Sequence, residues 1–497
     1  MQTVFLSEIR TVVVIPRRCC KLWPLYVCPD FGQITQLEQT PQLGRARSEA
    51  AGHLNLRGQA NLHEVRLRDE VVGCYEHGMS ELEDLDRRVS WHPFQQMAAW
   101  SPLVIASGEG NYLIDEQGRR YLDGVSSLWC NVHGHRHPRL DRALRDQLDR
   151  LAHSTYLGLT HEPGVRLAAA LLEVAPEGLS RVFYSDSGST AVEIALKQSF
   201  QYWQLKGRGT KRKFLRVGEA YHGDTLGAVG VGGIDLFHRV FGPLLVDSIA
   251  IPSPALDLEG ARATLIRELE TRSDEIAAFV MEPLVQGAAG MLMHPPGFTK
   301  LARDLCTTFG VHLILDEVAT GFGRTGTMFA CEQEGVSPDL LCLAKGISGG
   351  YLPLAATLST EEIYSAFLGE RSELKQFFHG HTYTANPLAC AVGLESLELL
   401  REETLLNARA RIPEMTEALA RIAKQDRVKS VRQCGLMAGI EIEGVAGEFA
   451  GAAVCERVRQ FGVILRPLGD VVVWMPPLSI QPSELVELEA ATVRGLG

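Results

Sequence analysis

Three apolar runs in the middle of the chain each end in an ionisable residue. Ile276–Met281 runs into Glu282, Val311–Leu315 into Asp316 and Glu317, and Leu340–Ala344 into Lys345. If these runs are strands of an open sheet, their charged ends gather in the crevice where such sheets bind ligands. A single charge at that point is ordinarily a solvated strand end; two carboxylates and a lysine facing one crevice are harder to dismiss. Lys345 enters the glycine-rich turn Gly346–Gly350, where burial lowers an amine's pKa and favours the neutral nucleophile. Such an amine forms a Schiff base with an aldehyde, and an aspartate one strand away, Asp316, pairs with a protonated pyridine nitrogen. Together the two residues point to pyridoxal phosphate. A structural Asp–Lys ion pair is the plainer alternative.

A phosphate would need its own site. Ser185–Ser189 follows the short run Arg181–Tyr184 and opens a helical pattern over Ala191–Gln204. Free N–H groups at a helix start, with hydroxyls nearby and a glycine allowing close approach, form an anion site. Ser and Asp are also common N-caps, so the segment carries weight only beside the Lys–Asp pair. Tyr221, just past the run Phe214–Val217, could stack on a planar ring. Gly321–Gly326 matches G-x-G-x-x-G. A dinucleotide fingerprint wants its first glycine at the strand end and an acid at the end of the next strand; here the next run ends in Lys345. His133, His135 and His137 alternate, but no carboxylate or cysteine stands at ligand spacing, which favours a loop over a metal site.

The elements that must position these residues are legible as alternation. From about 140 to 345, helical stretches such as Leu140–Leu151 and Ala191–Gln204 alternate with the apolar runs, predicting βαβ units and a mainly parallel sheet covered on both faces. Short strands are expected within 103–123. Beyond about 400, a polar-faced helix (Leu405–Lys424), strands around Val428–Ile442, another helix, and strands around Val463–Leu465 and Val471–Met475 suggest a smaller α+β domain. The chain of 497 residues, 45% hydrophobic and 22% charged, has globular composition. Its net charge of −11 gives no global attraction for nucleic acid or an anionic membrane. No run approaches the roughly 18 apolar residues a spanning helix needs. Eleven scattered cysteines, with no CxxC pair, suggest reduced thiols in the cytoplasm.

Residues 1–78 hold four of the cysteines and show no sustained period. At Met79 the text changes, and Ser80 with Glu83 has capping-box spacing. The expectation is that Met79 is the true start or that the extension is poorly ordered.

The blocks Leu313–Gly326 and Pro338–Gly350 resemble the class III pyridoxal-phosphate aminotransferases, over about residues 88–490. The resemblance implies the α/β architecture of fold type I, with a large domain on a mainly parallel seven-stranded sheet and a smaller α+β domain built from both chain ends. It places the divisions at 79–135, 136–400 and 401–497. It also implies a homodimer with active sites at the interface. By it, Lys345 is the Schiff-base lysine and proton shuttle, Asp316 the pyridinium partner, and Gly188 and Ser189 phosphate contacts. Thr382, in Gly380–Pro387, would reach the neighbouring subunit's phosphate, with His381 beside the cofactor and Gly380 beside the substrate.

Within the class, Ser90–Met97, Asp123–Trp129, Ile464–Leu468 and Trp474–Pro477 resemble the biotin-pathway branch. This implies conversion of 8-amino-7-oxononanoate to 7,8-diaminononanoate with S-adenosylmethionine as amino donor. Arg466 would bind the acceptor's carboxylate through its planar fork, and Tyr221 and Trp129 would contact substrate. Phe94 and Leu128 depart from the branch's usual tyrosine and tryptophan, which makes lysine an alternative donor. The rivals are a class III enzyme acting on ω-amino acids or diamines, and a non-catalytic regulatory protein that binds the cofactor.

Overall fold

The structure is a computed structural model and describes residues 80–444 and 449–497. The expectations for the extension 1–78 and for a start at Met79 fall outside those residues.

A seven-stranded sheet carries the middle of the chain. Its strands are β1 (Leu179–Ser185), β2 (Lys213–Val217), β3 (Ser248–Ile251), β4 (Ile276–Met281), β5 (His312–Asp316), β6 (Leu340–Leu343) and β7 (Ala355–Thr360), in the spatial order β1-β7-β6-β5-β4-β2-β3. All neighbouring pairs are parallel except those of β7, which runs antiparallel to β6 and β1. Every residue of β4, β5 and β6 is buried, as a parallel strand covered on both faces requires, and this is why β4 and β6 read as unbroken apolar runs and β5 as one between His312 and Asp316. The five expected runs all form strands, displaced by at most two residues at an end. Two strands were not anticipated. β3 is short, and β7 is built largely from small and hydroxylated residues that give no long apolar run.

The helix α1 (Gly188–Leu205) follows β1 directly. Ser187 caps it: its hydroxyl accepts from the Thr190 N–H at 3.3 Å, while the Thr190 hydroxyl accepts from the Ser187 N–H at 3.1 Å. The expected helix at 140 begins at Pro138, whose missing N–H costs nothing in a first turn, and ends at Leu148. At the chain's other end, Val428–Cys434, Met437–Ile442, Val471–Trp474 and Arg466–Leu468 form an antiparallel sheet backed by helices Ala450–Gln460 and Pro482–Leu496. The last of these helices was not anticipated. The strands within 103–123 are Ile105–Glu109, Tyr112–Asp115 and Arg120–Asp123, and Val463–Ile464 pairs in parallel with the third. Ser80 and Glu83 form the capping box of helix Glu81–Val89. No helix of the described residues is long and apolar enough to cross a membrane.

Candidate active site

β5 and β6 are adjacent and parallel, with Asp316 in register with Cys342. Their carboxyl ends therefore deliver Asp316 and Lys345 to the same edge of the sheet, and both line a cavity of about 850 Å³. Trp129, Gly188, Ser189, Tyr221 and Glu282 line it too. Seven side chains or backbone segments singled out from the sequence thus meet in one place.

Lys345 takes a left-handed backbone conformation (φ 49°), a strained state for a side-chain-bearing residue that costs about 1–3 kcal/mol and gathers at functional sites. Its Nζ stands 4.7 Å from the centre of the Trp129 ring and has no hydrogen-bond acceptor among the described residues. Desolvation pulls the ammonium below the usual lysine range, with Asp316 and Glu282 opposing that pull. An amine that is short of partners and costly to charge is suited to nucleophilic attack.

Asp316 is held from two sides. Its Oδ1 accepts from the Val318 N–H at 3.0 Å, and its Oδ2 lies 2.7 Å from Nδ1 of His222, which is fully buried. An ionised carboxylate only accepts, so Nδ1 carries the proton. Burial opposes charging His222, but the bond and charge of Asp316, joined by the charge of Glu282, outweigh it and hold the imidazole above its usual range. The neighbouring carboxylate turns elsewhere: Glu317 accepts from the N–H groups of Ala330 (2.7 Å) and Cys331 (2.8 Å) and from the Thr320 hydroxyl (3.0 Å). Of the two acids at that strand end, one faces the cavity and one fastens a turn.

In the same cavity, the cap of α1 uses the Thr190 N–H and leaves those of Gly188 and Ser189 without an acceptor among the described residues, as a first helical turn does. A Cβ at Gly188 would lie 2.6 Å from the Val318 side chain, so only glycine fits this close approach. The Ser189 hydroxyl is oriented by Thr225, 2.8 Å away. Tyr221 donates its backbone N–H to Glu282 and its hydroxyl to Asp224. The indole N–H of Trp129 is buried without an acceptor among the described residues.

Other expected residues stand apart. Gly380, His381, Thr382 and Arg466 do not line the cavity of this chain. Gly380, Thr382 and Arg466 are exposed, and His381 is half-buried against Thr384 and Asp186. Phe94 is exposed and meets Phe237 edge-on, whereas Leu128 lines the cavity. The alternating histidines bond within the fold: His133 to Thr404 and Ser396, His135 to Asp123. In the glycine pattern 321–326, Arg324 is buried and reaches the Pro476 carbonyl at 2.5 Å. Sequence reasoning missed His222 altogether, because its tie to Asp316 spans 94 residues and nothing local marks it.

A lysine and a carboxylate on adjacent parallel strand ends, lining one cavity with a helix start whose first N–H groups have no acceptor among the described residues, define an enzyme of the pyridoxal-phosphate fold type I class. A family model described as aminotransferase class-III matches residues 95–492, and the chain belongs to that family. It is 52% identical over 447 residues to adenosylmethionine-8-amino-7-oxononanoate aminotransferase of Nitratidesulfovibrio vulgaris, spanning 85% of this chain and 82% of the relative. The enzyme of that name from Aquifex aeolicus is 50% identical over 427 residues, 81% of this chain and 94% of its own. Among solved structures, that of the same-named enzyme from Methanocaldococcus jannaschii superposes with a TM-score of 0.81 at 42% identity, covering 84% and 98% of the two chains. An omega transaminase from Pseudomonas jessenii, in complex with PMP, gives 0.79 at 29% identity, covering 84% and 98%.

The residues present fit pyridoxal phosphate. The unpartnered Lys345 amine, the buried Trp129 indole N–H and the free N–H groups at the start of α1 each lack what that cofactor offers: an aldehyde, polar oxygens and a phosphate.

Proposed function

We propose that this aminotransferase converts 8-amino-7-oxononanoate to 7,8-diaminononanoate, with S-adenosylmethionine as amino donor. The observation that carries the catalytic part is the Lys345 amine, unpartnered beside Trp129 in the cavity that also receives the His222-backed Asp316. The acceptor and donor rest on relatives of that name matching four-fifths of the chain.

When bound, the cofactor supplies an aldehyde to carry the amino group and a ring that withdraws electrons from the reacting carbon. Lys345 would hold the aldehyde and, once released, move the proton at the substrate carbon bearing nitrogen, a role contributing about 10²–10⁴-fold. Asp316 would keep the ring nitrogen protonated. Gly188 and Ser189 would hold the phosphate, and Tyr221 and Trp129 would border ring and substrate.

Thr382, Gly380 and His381 would act across a homodimer interface, alongside the cofactor and substrate of the partner subunit. Their position outside this chain's own cavity supports that, as does the exposure of Leu157, Phe378 and Tyr383. Arg466 would take the acceptor carboxylate. The pairing of Val463–Ile464 with Arg120–Asp123 supports a small domain drawn from 79–135 and 401–497 around a large domain over 136–400. A cytoplasmic location accords with a biosynthetic role.

A donor screen with 8-amino-7-oxononanoate tests the assignment. S-adenosylmethionine should support turnover, turnover with lysine alone would replace the donor, and no turnover with any donor would reject the acceptor. Arg466→Ala should raise KM for the keto acid by about tenfold or more while sparing the half-reaction with the donor. Equal damage to both would remove the carboxylate role.

A further inference from the structure

Glu282 has no part in the chemistry above, yet it is 5% exposed at the centre of the site. It follows β4, all six residues of which are buried and apolar. A buried carboxylate costs several kcal/mol unless its bonds and surroundings compensate, and among the described residues no Lys or Arg forms an ion pair with it. Its two oxygens accept from two different walls of the cavity: Oε1 from the Tyr221 N–H at 3.2 Å, on the loop after β2, and Oε2 from the Gly287 N–H at 2.9 Å, on the loop after β4. Gly287 in turn faces the Trp129 ring closely, since a Cβ there would lie 3.3 Å from it. One side chain therefore ties the Tyr221 wall to the segment against which Trp129, and through it Lys345, is packed.

The charged and titratable groups facing Glu282 are His222, Asp316, Tyr221 and Lys345. Burial, helped by the charge of Asp316 and opposed by His222 and the two backbone bonds, pushes the carboxyl up to about 7. In return, Glu282 favours the charged form of Lys345.

We propose that Glu282 is a positioning residue: its carboxyl pins the Tyr221 and Gly287 walls at one separation and, in its ionised form, supplies the second buried negative charge against which the Lys345 nitrogen takes up and releases its proton. The inference rests on the assignment of Lys345 as the residue that holds the cofactor aldehyde. No bond to Glu282 forms or breaks; the proton travels between Lys345 and the reacting carbon, and Glu282 sets the field in which it does so.

Two variants separate the roles. Glu282→Gln removes the charge and keeps one acceptor, while Glu282→Asp keeps the charge and withdraws it by one methylene. Each protein is loaded with pyridoxal phosphate. The pH midpoint of its visible absorption change and the dissociation constant for pyridoxal phosphate, followed by fluorescence, are then measured. Glu282→Gln should lower the midpoint by about one pH unit, because the protonated nitrogen loses a neighbouring negative charge. Glu282→Asp should hold the midpoint within about 0.3 unit and weaken cofactor binding about tenfold. A wild-type midpoint in Glu282→Gln, or wild-type cofactor affinity in Glu282→Asp, would overturn the proposal, and the second result decides the matter should Glu282→Gln not fold. A visible band in the wild type that vanishes in Lys345→Ala secures the underlying assignment independently. A wild-type protein with no such band would overturn both.

Discussion

Two lysines occupy opposite ends of the same sheet, and each lies beside an indole ring. Lys211 sits just before β2, 4.5 Å from the centre of the Trp203 ring, and Lys345 just after β6, 4.7 Å from that of Trp129. Lys211 is 1% exposed and donates to the carbonyls of Ser273 (2.6 Å), Ile276 (2.9 Å) and Gly310 (2.9 Å). All three donor positions of its ammonium are filled, and they fasten the chain at the amino ends of β4 and β5. Lys345 has no acceptor among the described residues and opens onto a cavity. Burial pushes both ammonium groups down, Lys211 to about 8. Burial alone therefore does not distinguish a reactive amine from a structural one. The missing acceptors do.

The largest effect expected from this contrast is at Lys345. Its replacement by alanine should cut amino transfer by at least about 10²–10⁴-fold while leaving the urea unfolding midpoint close to wild type. Equal loss of stability would mean that Lys345, too, is structural. Lys211→Met should do the reverse. Three buried carbonyls lose a charged donor, at a cost of about 3 kcal/mol or more, read as a lower urea midpoint with kcat of the folded protein unchanged. A stable but inactive Lys211→Met would erase the contrast.

A smaller effect sharpens the same point with a histidine. His133 is buried, with ring nitrogens bonded to Thr404 (2.8 Å) and Ser396 (3.0 Å), and burial holds its pKa at about 3, against 6.5 when free. The unfolded chain then binds the extra proton first as pH falls below about 6.5, so this group's contribution to stability falls with it. About 2 kcal/mol should be lost between about pH 6.5 and pH 5. Urea midpoints across that range should show a steeper decline in the wild type than in His133→Gln; parallel profiles would mean that His133 titrates as a free side chain.

What could be read from the sequence follows the same division. Asp316 and Lys345 end strands buried on both faces, so a run of apolar residues broken by one charge marks each of them locally. The start of α1 is marked in the same way by Ser185–Ser189. His222, which fixes Asp316, lies on a loop with no periodicity, and only the folded sheet brings the two together. β7 escaped notice because Ala, Thr and Ser can fill a buried strand next to α1 without forming an apolar run. The exposure of Thr382 and Arg466 was equally hidden, since spacing along the chain says nothing about which face of the fold a residue reaches.

Borohydride reduction of the protein loaded with pyridoxal phosphate, followed by peptide mass mapping, compares the two lysines directly. The expected result is a stable phosphopyridoxyl group on Lys345 and none on Lys211. Labelling of Lys211 instead, or of neither lysine, would contradict the claim that a buried amine left without acceptors at a strand end is the one that holds the cofactor.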